Sequence, residues 1–489
     1  MSYLELLKFA APEAIVVVTA LAVLTIGLTT ARALVLGPIV AVLGVALAIG
    51  AVLMLPPHAN LFGGMLVISP LNSLFKIICL ALAIATIPLV SSEKALPNPG
   101  EYIAVLLLGS VGLMLLVGSE ELLMIFIGLE LLGLSLYVLA AFDKADVHSA
   151  EAGLKYFLFG STASAFTLFG ISLIYGMSGT TALAAIGQKL TTLPVQPLLA
   201  VGIVMTLIGF AFKIAAAPFH LWAPDAYQGA PIPSAAFIAS GSKVASFVVL
   251  GKIVLIGFGP VHGSADWHAM IAGWSPVLAA LAALSILLGN FVALAQTNVR
   301  RLLAYSAVAH GGYTLLGVVA GGREGFSATL FYTTTYAVTL IGAFAVVGAV
   351  RRETGGDDLQ NFSGLAARSP FLAACMAIFF LSLAGLPPLA GFFGKFYLFS
   401  AAFRAGANHG LLWLVAVALF GSFVSLYYYL IVLKVIFVDQ SSGSTSQPLN
   451  FSTPGGFVKL VTIIVLAAAV LFLGIMPQTL AAKIIASLP

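Results

Sequence analysis

Charge is scarce in this chain. Of its 489 residues only 8% are Asp, Glu, Lys or Arg, while 61% are hydrophobic. Soluble domains carry about a quarter of their residues as charges, so a soluble fold is excluded, and the mean hydropathy of +1.13 says the same. The net formal charge is only +4 and no basic run occurs, which excludes a nucleic-acid partner. Cysteine is nearly absent. Cys79 and Cys375 both lie in apolar stretches and read as inert packing, which leaves no disulfide framework, metal site or cysteine-held iron–sulfur cluster. There is no G-x-G-x-x-G after a strand and no P-loop, and the histidines are not paired at spacings suited to haem. The chain therefore holds no redox centre, and any energy for transport comes from a partner or an ion gradient. No cleavable signal peptide is evident. The first apolar run, about Ile15 to Thr30, follows Glu5 and Glu13 and leads into Arg32, and reads as a retained helix.

Long apolar runs fill the sequence instead. A helix crossing ~30 Å of hydrocarbon needs about 20 apolar residues, and about fourteen runs meet that length. They start near Ile15, Leu34, Ser69, Tyr102, Leu122, Leu154, Pro197, Ile232, Ser275, Leu302, Phe326, Phe371, Leu411 and Val458. The expected fold is an all-α polytopic membrane protein. Breaks fall at Pro56-Pro57-His58, Pro97 to Gly100, Asp143 to Asp146, Asn298-Val299-Arg300-Arg301 and Arg351-Arg352-Glu353, and the serine-rich stretch Asp439 to Asn450 reads as a linker. Arg32, Lys94, Lys144, Arg300, Arg301, Arg351, Arg352, Arg368 and Lys459 fall in loops after odd-numbered helices, which the positive-inside rule places in the cytoplasm, with both termini on the far side.

Two segments are interrupted. The seventh meets Pro218 just after Lys213, and the twelfth carries Gly385-Leu386-Pro387-Pro388 in its middle. A proline breaks the helical ladder, and in hydrocarbon the freed carbonyls survive only where protein or water satisfies them. The two breaks are five helices apart, an odd offset that reverses direction through the membrane. The expectation is a pair of inverted five-helix repeats, helices four to eight matching nine to thirteen, within a division at 1–100, 101–258, 259–440 and 441–489.

Glu130, Lys213, Lys243 and Lys395 each lie inside an apolar run. A charge at the bilayer centre costs about 2.5–3.5 kcal/mol on insertion scales, so four ask the fold to recover roughly 10 kcal/mol. Chains that keep such residues move protons or ions with them. Glu130 lies nine residues beyond Glu121, about 13 Å deep. It reads either as a neutral, passive hydrogen-bond donor or as a relay carboxylate paired with a lysine. Lys243 lies ten residues past Pro233, about 15 Å in, and Lys395 lies nine before Arg404. A lysine removed from water exchanges its proton near neutral pH, which arginine does not, and no arginine lies deep in these runs. Lys252 is nearer its helix end and reads as reaching the interface. His310 shares a helix face with Ser306 four positions earlier. His220 follows the break at Pro218; for it, relay and structural roles both stay open. Lys155, beside a loop, reads as a snorkelling cation or as a functional one, and Asp225 as a turn or capping residue.

The stretch Gly209-Phe210-Ala211-Phe212-Lys213-Ile214-Ala215-Ala216-Ala217-Pro218-Phe219-His220-Leu221-Trp222-Ala223-Pro224-Asp225-Ala226-Tyr227-Gln228-Gly229-Ala230-Pro231 closely resembles a signature of the antiporter-like subunits of respiratory complex I. Leu381 to Phe396 looks like that family's broken twelfth helix, and Asn298 to Tyr313 also fits, so the resemblance extends over essentially the whole chain. It implies two inverted five-helix bundles, each holding a half-channel. Glu130 and Lys213 would form the charge pair near the input side, Lys155 would match a second family lysine, and Lys243 and His310 would continue a hydrated axis ending at Lys395. Within the family, the chain length argues against the L-type subunits and lysine at the twelfth helix against the M-type, leaving the N-type. One departure is Ala307 after Ser306, where the family often has two serines.

The function this implies is a proton-translocating membrane-arm subunit of NADH:quinone oxidoreductase in a bacterial plasma membrane. NADH, FMN, iron–sulfur clusters and quinone would sit in partner subunits and none in this chain. Its expected neighbours are the M-type subunit, the small membrane subunits and the lipid bilayer. The alternative is a cation/proton antiporter subunit without redox partners, which the same lysines and broken helices would serve. A passive scaffold has no use for four buried charges.

Overall fold

The computed structural model describes residues 7–30, 32–92, 96, 98–192, 196–406, 409–440 and 454–488. Glu5, Lys94, Pro97 and the serine-rich stretch from 441 on lie outside the described residues. The chain opens with α1 (Ala11–Thr29) and α2 (Ala33–Leu53). An element absent from the all-α expectation follows: a small antiparallel hairpin, β1 (Ala59–Leu61) with β2 (Leu66–Ile68), in which Ala59 faces Ile68. Three residues a side are too few for the alternation that reveals a strand in sequence. Next come α3 (Pro70–Thr86), α4 (Pro99–Gly118), α5 (Leu122–Ala140), the long α6 (Val147–Ser178) and the short α7 (Leu183–Leu190). The Glu121 carboxylate caps α5, accepting from the amides of Leu123 at 3.1 Å and Met124 at 2.7 Å. Glu121→Ala is expected to cost about 1 kcal/mol through loss of that cap, read as a lower thermal unfolding midpoint in detergent; an unchanged midpoint would show the cap to be idle.

The seventh segment is broken as the prolines predict. α8 (Pro197–Lys213) stops at the lysine and the chain resumes as α9 (Trp222–Gly229). Side chains satisfy the freed backbone: Trp222 Nε1 donates to the Phe212 carbonyl at 3.1 Å, and the Ala217 amide to Ser285 Oγ at 2.8 Å. α10 (Ile232–Gly257) is one enclosed span, with π-helical turns at Ile238–Ser242 and Ile253–Gly257 on either side of the stretch that carries Lys243 and Lys252.

The rest is α11 (Trp274–Leu294), α12 (Val299–Ala320), the long α13 (Gly322–Thr354), α14 (Pro370–Ala384), α15 (Ala390–Arg404), α16 (Leu412–Phe437), α17 (Pro454–Ile475) and α18 (Gln478–Ser487). α14 and α15 are the halves of the twelfth segment. The turn between them starts at Gly385, whose φ of 86° is left-handed and suits glycine. Among the described residues twelve helices are long and apolar enough to cross a membrane; the two broken segments complete the fourteen expected. α6 and α13 are 32 and 33 residues long, and both end at a left-handed glycine, Gly179 and Gly355. The residues capping α5 and α12, Glu121 and Asn298, each form an isolated β-bridge to a later loop, with Ala182 and Asp358 respectively.

Four cations counted as loop or interface residues are in fact buried: Arg368, in the short helical turn Leu365–Arg368, and three in longer helices. Arg300 sits in the first turn of α12, Lys459 within α17 and Lys252 within α10. The supposed loop Asn298 to Arg301 is a capped helix start, with Asn298 Oδ1 accepting from the amides of Arg300 and Arg301.

Candidate functional site

The break that ends α8 leaves Lys213 as the last helical residue, nearly inaccessible at 4% exposure. Its ammonium lies 6.0 Å from the centre of the Tyr156 ring, which stacks flat on Trp222 at 4.1 Å. Glu130, on α5, accepts a short hydrogen bond from Ser164 on α6 at one of its two carboxyl oxygens. Glu130, Ser164, Thr167 and Lys213 line one cavity of about 20 Å³, room for about one water molecule. The carboxylate and the ammonium share this cavity but are not within 4 Å of one another, so the pair stands open.

On α10, Lys243 Nζ donates to the Ala307 carbonyl on α12 at 2.6 Å and lies 5.7 Å from the centre of the Tyr336 ring. The acceptor is a backbone carbonyl, which a serine at 307 would supply equally, so the bond does not depend on the Ala307 departure. His310, one turn further on α12, stacks on Tyr336 with ring centres 4.8 Å apart. Its Nδ1 meets Tyr332 Oη at 2.5 Å and its Nε2 meets Tyr429 Oη at 3.1 Å. Tyr429 is also bonded to Ser306, so the shared face of Ser306 and His310 meets one tyrosine from α16. Tyr313 lies edge-on to His310 at 5.5 Å, and Lys395 lies 5.1 Å from its ring centre. Lys395 Nζ donates at 3.0 Å to both Ser422 Oγ and the Ala384 carbonyl freed by the second break. Lys243, His310 and Lys395 thus form a row with one tyrosine ring between neighbours.

His220 is buried just past the first break, its Nδ1 without a hydrogen-bond partner and its ring 6.2 Å from that of Tyr305. Lys155 stands apart from the row. It is half-exposed and paired with Glu151 at 2.6 Å and Asp225 at 2.7 Å. Asp225 is not a cap: its second oxygen takes Arg301 at 2.7 Å, so it joins α6 to α12. The sequence reading missed the tyrosines. Their only signal was Tyr332 and Tyr336, four apart on one helix face, and the run Tyr427-Tyr428-Tyr429. It also missed a buried ion pair, Lys76 with Glu13 at 2.6 Å. No group of three or more His, Cys, Asp or Glu suited to a metal ion occurs among the described residues.

The family model described as NADH:quinone oxidoreductase/Mrp antiporter, TM, matches residues 119–425, which hold nearly all of this geometry. The chain belongs to this oxidoreductase/antiporter family. It is 48% identical over 431 residues to NADH-quinone oxidoreductase subunit N 2 of Acidobacterium capsulatum, covering 86% of this chain and 85% of that protein. With NADH-quinone oxidoreductase subunit N of Moorella thermoacetica it shares 42% over 419 residues, covering 85% and 84%. A chain of respiratory complex I from Thermus thermophilus with bound aureothin superposes with a TM-score of 0.79 at 32% identity, covering 96% of this chain and 98% of that one. A chain of the Mrp complex from Dietzia sp. DQ12-45-1b reaches 0.80 at 21% identity, covering 98% and 97%; that likeness speaks for the family fold alone. As a member of the family, the chain is a multi-pass membrane protein.

Proposed function

We propose that this chain is the N-type proton-translocating subunit in the membrane arm of a bacterial NADH:quinone oxidoreductase. It belongs to the translocase class and carries no redox centre itself. The observation that carries this reading is the row of buried Lys243, His310 and Lys395 joined through tyrosines, with the open Glu130–Lys213 pair in a cavity sized for one water as a second polar centre in the same interior. Protons enter from the face that bears Arg300, Arg351 and Arg352, taken as cytoplasmic, and load Lys213. Closing the pair holds a proton on the lysine by charge attraction, and opening it weakens that hold. The released proton passes to Lys243, with His220 as an auxiliary relay. The imidazole of His310 takes a proton on one nitrogen as it gives one up from the other, and Lys395 delivers to the far face.

Two inverted five-span repeats, divided as 101–258 and 259–440, underlie this layout. The paired long spans, paired breaks and paired β-bridges support that division. The subunit works in the plasma membrane with both termini on the far side, beside an M-type subunit and the small membrane subunits, while NADH, flavin, iron–sulfur clusters and quinone are handled by partners. Lys155 with Asp225 and Arg301 forms the charged rim of the entry.

NADH-driven proton uptake in inverted membrane vesicles tests this reading, with assembly of the complex verified. Lys395→Ala is expected to abolish coupled uptake. Lys395→Arg, which keeps the charge but cannot release the proton, is expected to fail equally. Normal uptake in the arginine variant would remove Lys395 from the proton path. Normal NADH oxidation with cation-dependent growth in a strain lacking the chain would favour the antiporter instead.

A further inference from the structure

The row described above leaves one buried lysine of α10 unused. Lys252 is 2% exposed, and its ammonium donates to the Val117 carbonyl at 2.7 Å and the Ser119 carbonyl at 3.4 Å, where α4 gives way to α5. The nearest carboxylate is Glu120 at 3.7 Å, so the lysine rests on backbone oxygens while its counter-charge stands slightly off. Glu120 is held by its backbone: its amide donates to the Gly64 carbonyl in the hairpin at 2.8 Å, and its carbonyl accepts from Leu183 at 2.9 Å. Its side chain is the half-open partner, 26% exposed against 1% for the lysine.

Both residues line a cavity of about 640 Å³, together with His58, Ser69 and the apolar Leu255 and Phe326. This is far larger than the space beside Lys213. Arg323 stands beside the cavity, donating to the carbonyls of Ile485 and of the lining residue Leu488. Lys76 reaches the same turn from α3: a Cβ added at Gly118 would lie 3.0 Å from its ammonium. Lys76 is itself tied to Glu13 of α1 at 2.6 Å, and Glu13 Oε2 is buried without a partner. Lys76, Lys252, Glu13 and Glu120 thus lie about the Val117–Ser119 turn, while the Glu121 carboxylate is turned to the amides of α5; Lys252 and Glu120 both line the cavity, and Glu120 is the more exposed of the two. α10 begins beside Arg300, which bonds the Ala230 carbonyl. Lys252 lies twenty residues beyond Ile232, about 30 Å along the helix, so the cavity belongs to the face opposite Arg300.

We propose that Lys252 and Glu120 form a second proton-exchange site, a port between the interior and the water of the face opposite Arg300, separate from Lys395. The Lys252 ammonium passes a proton to the Glu120 carboxylate: an N–H bond breaks, an O–H bond forms, and both groups become neutral. Glu120 releases the proton to water in the cavity, and the free amine takes the next one. Every step runs equally in reverse. The fixed Lys76–Glu13 pair supplies a second ammonium that opposes a lasting positive charge on Lys252. Lys243, nine residues earlier on the same helix and about 14 Å away along it, is the member of the row that this port would serve. The inference rests on the transport reading proposed above.

The test has two arms on the assembled complex in vesicles. Glu120→Cys is treated with a membrane-impermeant thiol reagent from each face; Cys79 and Cys375 are buried and free. Labelling from the face opposite Arg300 alone is expected, and labelling from the other face or from neither overturns the port. In the second arm, the double variant Lys252→Met/Glu120→Gln and the single variant Lys252→Arg are scored for protons moved per NADH oxidised. A buried ion pair that serves only as a clamp is replaceable by neutral groups without loss, whereas a port is not. A lower ratio than the parent in both variants is expected, and a parental ratio in either overturns the proposal. Lys395→Ala runs alongside. If it uncouples while the Lys252 variants do not, this inference alone falls; if all pump normally, the transport reading falls with it.

Discussion

Replacing Lys213 by alanine is expected to abolish coupled proton uptake, by about 10²-fold or more, the ordinary worth of a positioned proton-transfer group. The argument is geometric. Lys213 ends α8, so no further helical turn covers its ammonium, and the nearby groups are the Tyr156 ring and the cavity shared with Glu130. A second charge at this point requires a compensating carboxylate, and Glu130 is the only acidic residue lining the cavity. Glu130→Gln keeps the shape and the hydrogen bond from Ser164 but removes the charge. It is expected to impair pumping nearly as much as the lysine variant, with the complex still assembled. The double variant should be little worse than either single one, because the two act as one switch. Additive losses, or a Lys213→Ala complex that pumps at the parental rate, would remove the pair from the mechanism.

Much of this site was legible in the sequence because membranes make charge conspicuous. An isolated lysine in an apolar run has to be compensated, and a proline in a spanning helix must be satisfied by something. Those two rules alone single out Lys213 with its break and Lys395 with its own. They fail where a residue's partner lies far along the chain. Lys76 finds Glu13 across 63 residues and Lys252 finds the Val117 carbonyl across 135. A charge near the end of a hydrophobic run therefore reads as a loop residue until packing shows otherwise. The tyrosines escaped for a different reason. A buried tyrosine is ordinary in an apolar helix, and only the stacking of Tyr336 on His310 gives it a role in the row. The hairpin at Ala59–Ile68 is too short for periodicity to show, yet its Gly64 carbonyl fixes the backbone of Glu120.

Arg300→Met is expected to be the most damaging single change to folding. Arg300 is completely buried, and its guanidinium reaches three parts of the chain: Nε donates to the Tyr227 carbonyl at 2.8 Å, Nη2 to the Ala230 carbonyl, and Nη1 to Asp357 at 3.2 Å. It thereby ties α9, the start of α10 and the loop after α13 to the first turn of α12. Methionine fills much of the volume but leaves two carbonyls unpaired and strands a carboxylate. Removing one member of a buried pair costs about 3–5 kcal/mol, against a total stability of about 5–15 kcal/mol for a typical domain. Asp357 keeps its bond from Asn298 at 2.7 Å, which moderates the loss without restoring charge balance. Lysine at this position supplies the charge but not the planar fork that serves three acceptors, so Arg300→Lys should fall between the parent and Met. Arg301, one residue on, is one-third exposed in its pair with Asp225, and Arg301→Met should cost no more than about 1 kcal/mol. The measurement is the amount of subunit retained in membranes and its thermal unfolding midpoint in detergent. Equal loss in the two methionine variants, or parental abundance for Arg300→Met, would show that burial of Arg300 does not govern the fold here.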